Sequence, residues 1–285
     1  MRFMKTEQTL PGQGDFLNEK SGNGPVEVHR KITTALILAA GMGYRLRPIT
    51  DDAPKCLTEI NGYSILERLV RCLQLNGIDR LVIVVGHMQD SIRNFFEESS
   101  TSLNVEFVFN PDYLTTNNIY SWWLARKSLR EPFVLIESDL LFNASLLAPM
   151  LSPNKIAVSP IEKWMNGSTV TLDHHGQVKA FYSSVNQGRV TGSRPFKTVN
   201  MYSLSLSSWK QVEKRLEQYI SSGRVQDYYE AVFSEMVREG ALSFKAVTFR
   251  PGSWYEVDTL SDLDEAERLF PANVESRSSQ SPTFR

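Results

Sequence analysis

Three short segments carry most of the side chains that could do chemistry. The first is Gly41-Met42-Gly43-Tyr44-Arg45-Leu46-Arg47-Pro48, followed shortly by Pro54-Lys55. Two glycines let a backbone approach a ligand closely and turn its N–H groups toward anionic oxygens. Arg45 and Arg47 add forked donors suited to phosphate, and Pro54 stiffens the approach of Lys55. The other two segments are Glu137-Ser138-Asp139 and Trp254-Tyr255-Glu256-Val257-Asp258. Paired carboxylates from distant segments are what a phosphate-bound Mg²⁺ usually receives from protein. A helix cap is the alternative for Asp258. Leu46 stands where a GxGxxG fingerprint needs its third glycine, and no GxxxxGK[ST] occurs. A dinucleotide fingerprint and a P-loop are therefore both excluded.

The elements around these segments alternate. Residues 35–40 are a continuous apolar run ending at a glycine, the pattern of a buried parallel strand. Helical spacing over 64–76 follows, then strands at 81–85 and 105–109 around a helix at 90–98. A helix over 117–129 precedes a fourth strand at 133–136. Such alternation predicts a doubly wound sheet, with ligands beyond the carboxyl ends of its strands. The second half is richer in strands, at 156–158, 170–172, 178–182 and 199–204, with Asp173-His174-His175-Gly176 as a hairpin turn. Helices at 207–219 and 228–239, a strand at 244–249 and a helix over 260–270 complete the pattern.

Leu38-Ala39-Ala40-Gly41-x-Gly43-x-Arg45 with Pro54-Lys55 resembles the signature of the nucleotidyltransferases that make sugar nucleotides. Five later segments are similar to the small cytidylyltransferases that act on phosphocholine and 2-aminoethylphosphonate. These are Asn117-Asn118-Ile119-Tyr120-Ser121, Glu137-Ser138-Asp139-Leu140, Trp164-Met165-Asn166-Gly167, Lys197-Thr198-Val199-Asn200 and Trp254-Tyr255-Glu256-Val257-Asp258. The resemblance implies a Rossmann-like α/β nucleotidyltransferase fold: a mixed, mostly parallel sheet flanked by helices, with a β-rich acceptor-binding half. It also implies transfer of CMP from CTP to a small phosphonate, 2-aminoethylphosphonate or a hydroxyalkyl relative, with release of pyrophosphate. Phosphocholine, a sugar 1-phosphate, or a non-catalytic NTP-binding role are the alternatives.

Under the resemblance, Arg45 holds the β/γ-phosphates, Lys55 serves the α-phosphate and acceptor, and Lys197 contacts the acceptor phosphonate. Asp139 and Asp258 bind Mg²⁺, with Glu137 and Glu256 as weaker candidates. The nucleotide lies over Leu38, Ala39, Gly41, Met42 and Gly43, with Gly86 and His87 closing one side and Asn118 and Ser121 facing base and ribose. The acceptor side draws on Trp164, Asn166, Asp227, Tyr228, Tyr229, Glu230 and Glu256. An Asn rather than an Asp at position 166 weakens an amine preference and admits a hydroxyalkyl group.

The balance of the chain fits a small charged ligand. Its 285 residues carry 31 basic and 32 acidic side chains, a formal net charge of −1. That argues against a dedicated nucleic-acid binder. No apolar run reaches the ~18 residues of a membrane span. Two cysteines, Cys56 and Cys72, suit a reducing cytoplasm. One domain over 33–270 is expected, with loose tails at 1–32 and 271–285; a homodimer is left open.

Overall fold

The computed structural model describes residues 31–163, 165–182 and 194–272. Nearly all of the two expected tails, and Trp164, therefore lie outside the described residues. Ile32, expected to end a tail, is instead buried, and its N–H donates to the Leu151 carbonyl at 2.9 Å.

In chain order the elements are β1 (Thr34–Ala39), β2 (Glu59–Ile60), β3 (Tyr63–Ser64), α1 (Ile65–Leu75), β4 (Arg80–Val85), α2 (Gln89–Glu98) and β5 (Asn104–Phe109). Next come α3 (Asn118–Leu124), β6 (Phe133–Glu137), β7 (Leu140–Phe142), β8 (Lys155–Pro160), β9 (Thr169–Leu172), β10 (Val178–Tyr182) and β11 (Phe196–Leu204). The last are α4 (Leu206–Ser221), α5 (Tyr229–Arg238), β12 (Lys245–Thr248), β13 (Trp254–Glu256) and α6 (Ser261–Leu269). The main sheet runs β10-β9-β11-β6-β1-β4-β5, with β8 joining β11 and β12. Its centre, β6-β1-β4-β5, is parallel; β11 turns the sheet antiparallel against β6, β8 and β9. The mixed α/β fold implied by the sequence is the fold observed.

The continuous apolar run of β1 is explained by burial on both faces. Ala35, Ile37 and Ala39 face a core with Leu66, Leu69 and Leu73 of α1, while Leu36 and Leu38 face a second core. That second core is aromatic. Trp122 of α3 stacks on Trp209 of α4 at 5.3 Å, and Tyr229 and Phe233 of α5 meet Trp122 edge-on. The Trp209 indole N–H donates to the Leu129 carbonyl at 3.0 Å. Trp209→Ala is expected to cost about 3–5 kcal/mol through lost contacts and a cavity. A urea melt checks this; a loss below about 1 kcal/mol would show that the core closes over the gap.

Candidate active site

A cleft of about 1440 Å³ opens at the carboxyl end of the parallel strands. Leu38, Ala39, Gly41, Gly43 and Arg45 form one wall. Gly43 takes φ 62°, and a β-carbon there would sit 3.0 Å from Lys55 Cβ and 3.1 Å from Thr50 Cγ2. Glycine at 43 thus allows both the left-handed turn and the packing of Lys55 beneath the loop.

Lys55 is the hub of the site. Its Nζ donates to Asp139 Oδ2 at 2.7 Å and to Asp258 Oδ1 at 2.6 Å, and Arg45 Nη2 reaches the same Asp258 oxygen at 2.8 Å. Asp139 and Asp258 lie far apart in sequence but are joined by the two-stranded pairing of β7 with β13. The Val257 N–H closes that pairing on the Asp139 carbonyl at 3.0 Å. Asp258 caps no helix; Asp262 accepts the N–H groups of Asp258 and Thr259 instead. Oxygens of Asp139, Glu256 and Asp258 all lie within 4.8 Å of one another. Asp139 Oδ1 is buried with no hydrogen-bond partner among the described residues. Three hard oxygen donors, one of them unused, fit a divalent cation such as Mg²⁺.

Lys197, only 3% exposed, lies 3.6 Å from Glu256 and donates to the Thr198 carbonyl at 2.6 Å. Burial pushes Glu256 up to about 7; Lys197 opposes that shift while Asp139 and Asp258 add to it. Burial likewise holds Glu137 well above the ordinary carboxylate range, reinforced by Asp139 and Glu230.

The cleft also takes in Asn118, Ser121, Asn166, Asp227, Tyr228 and Glu230. Asn118 is occupied within the protein: its Nδ2 donates to Glu137 Oε1 at 3.3 Å and its Oδ1 accepts the Tyr229 N–H at 3.1 Å. Ser121 Oγ accepts from Asn110 Nδ2 at 3.0 Å. Asp227 pairs with Arg224 at 2.8 Å, and Tyr228 is 61% exposed.

Several expected positions are not among the residues that line the cleft, Met42, Gly86 and His87 among them. Gly86 serves packing, since a β-carbon there would sit 2.8 Å from the Ala40 carbonyl and from Tyr113 Cβ. Arg47 turns away to Asp51 at 3.0 Å and to the Tyr44 ring. Tyr229 is fully buried in the aromatic core, so Tyr228 alone of that pair faces the cleft. Asn200 was missed although it belongs to the Lys197-Thr198-Val199-Asn200 segment; its Nδ2 donates to Glu256 Oε1 at 3.3 Å.

Residues 35–158 match the MobA-like NTP transferase domain. Over 248 residues the chain is 29% identical to the CMP-5'-(3-aminopropyl)phosphonate synthase of Streptomyces rubellomurinus, covering 83% of this chain but only 38% of that protein. It is 24% identical over 237 residues to a choline-phosphate cytidylyltransferase of Streptococcus pneumoniae, covering 83% of this chain and 97% of that one. The solved CTP:phosphocholine cytidylyltransferase from Streptococcus pneumoniae shares the fold, with a TM-score of 0.70 at 22% identity over 84% of this chain and 99% of that one. Among the described residues no helix is long and apolar enough to cross a membrane.

Proposed function

We propose that this protein is an NTP transferase, a cytidylyltransferase that moves CMP from CTP onto a small phosphonate, giving a CMP-phosphonate and pyrophosphate. The observation that carries the reading is the meeting of Lys55 and Arg45 with Asp139, Glu256 and Asp258 at the strand ends of one cleft. The names of the relatives supply the cytidine and the phosphonate.

A phosphonate is mostly ionised at neutral pH, so its oxygen needs no general base. That oxygen forms a bond to the α-phosphorus, and the bond from the α-phosphorus to the oxygen bridging it to the β-phosphorus breaks, so that pyrophosphate leaves with that oxygen. The obstacle is repulsion: like unit charges about 4 Å apart oppose each other by roughly 4 kcal/mol at an effective dielectric near 20. Lys55 and Lys197 supply fixed positive charge beside the reacting groups, and Arg45 supplies it at the open side of the cleft. Asp139, Glu256 and Asp258 would hold Mg²⁺. When bound, the ion would neutralise charge shared between acceptor and triphosphate. Turnover of each NTP with a panel of phosphonates and phosphocholine, followed by pyrophosphate release, tests the reading. No release with CTP and any of these acceptors would overturn it.

Glu230 and Tyr228 fit an acceptor that bears an amine. The buried Glu230 Oε2 has no hydrogen-bond partner among the described residues, and burial raises its carboxyl above the ordinary 4.5. Above that pH the unfolded chain gives up this proton before the folded one does, so the group disfavours folding as pH rises. Glu230→Gln is therefore expected to melt higher than wild type at pH 8, with the gap closing toward pH 4.5. It should also raise KM for an amine-bearing phosphonate while sparing KM for CTP. Thermal melts across pH and steady-state kinetics check both; equal melting curves at pH 8 would contradict the first.

A further inference from the structure

Asn200 lies inside β11 at φ 53°, the left-handed region that a residue other than glycine enters at a cost unless its surroundings hold it there. At this point β11 leaves regular register. Thr198 pairs with Val158 and Tyr202 with Ile156, so extra residues accumulate on β11. In a regular strand, residues three apart face opposite sides. Across this bulge Lys197 and Asn200 both line the cleft and reach the same carboxylate. Lys197 Nζ is 3.6 Å from Glu256 Oε2, and Asn200 Nδ2 donates to Glu256 Oε1 at 3.3 Å. The other end of the amide is engaged too. Thr198 Oγ1 lies 3.2 Å from Asn200 Oδ1 and 3.1 Å from the Ser168 carbonyl, so its single proton is shared between these two acceptors while the Asn200 NH₂ faces Glu256.

We propose that Asn200 is a positioning residue: the strained bulge aims its amide at Glu256 and, with Lys197, fixes that carboxylate beside Asp139 and Asp258. The proposal rests on reading those carboxylates as a divalent-cation site, and on nothing about which acceptor is used.

Glycine is the residue best adapted to φ 53°. If Asn200 only made a turn, Asn200→Gly would preserve function. The test compares Asn200→Gly, Glu256→Gln and the double variant. Each is followed by thermal melting, by Mn²⁺ binding to nucleotide-free protein using electron paramagnetic resonance, and by turnover of CTP. Asn200→Gly should melt close to wild type yet bind Mn²⁺ about 10-fold more weakly and lose about 10-fold in kcat. The double variant should bind Mn²⁺ no more weakly than Glu256→Gln alone, because Asn200 acts through that carboxylate. Wild-type Mn²⁺ affinity in Asn200→Gly would overturn the proposal. So would a melting temperature far below wild type, losses that multiply in the double variant, or a wild-type protein that binds no Mn²⁺. The Mn²⁺ measurements need no turnover. Mn²⁺ results as expected, with no pyrophosphate released by wild type from CTP and any acceptor, would sink the transfer reading and leave Asn200 as assigned.

Discussion

Lys55→Ala is expected to lower turnover by about 10³-fold while the protein stays folded. Lys55 is 15% exposed and bridges Asp139 and Asp258 at 2.7 and 2.6 Å. Burial by itself would pull its ammonium down, but the two carboxylates outweigh that and hold it above the ordinary lysine value. The charge is therefore present throughout the working pH range. Its position is set by Gly43 above and by carboxylates below, so little reorganisation is needed when negative charge develops beside it. The two other cations that meet these carboxylates are committed elsewhere: Arg45 is 64% exposed and bound to one oxygen of Asp258, and Lys197 is engaged with Glu256 and the Thr198 carbonyl. Pyrophosphate release and circular dichroism check the expectation. A kcat within about 10-fold of wild type would remove Lys55 from the reaction.

The sequence made the segments of this site legible but not their meeting. β1 and β4 could be read because strands buried on both faces are unbroken apolar runs, and α1 because its buried residues recur at helical spacing. β7 and β13 could not. Each has three residues, and their pairing of Trp254 with Phe142 and Glu256 with Leu140 is a tertiary event without local periodicity. That pairing is what brings Asp258 to Asp139. The contact between opposite charges was out of reach for a related reason. Sequence suggests a basic loop for phosphates and a separate acidic set for a metal, whereas the fold pairs them, lysine against carboxylate. Arg47 shows the limit of spacing arguments: two residues beyond Arg45, it leaves the cleft for Asp51. Asn118 and Ser121 were legible as cleft residues, but the bonds that hold them to Glu137, Tyr229 and Asn110 depend on partners from other elements.

Asp139→Asn keeps the shape of the side chain and removes its charge, and it too should lose about 10³-fold in turnover. The backbone at 139 is anchored independently of the carboxylate, through its carbonyl and the Val257 N–H, so the local fold should survive. What disappears is the oxygen pair whose one member holds Lys55 and whose other is buried with no hydrogen-bond partner among the described residues. Mn²⁺ binding to the nucleotide-free protein should fall with activity, which separates loss of a cation ligand from a general loss of positive field. Because Lys55 and Asp139 touch, their substitutions should not act independently. Lys55→Ala in the Asp139→Asn background should cost far less than about 10³-fold, since the lysine is then held by Asp258 alone and no longer placed between two charges. A double variant showing the full product of the two losses would mean that each group meets the substrate separately, and the coupling read from their 2.7 Å contact would have to be abandoned.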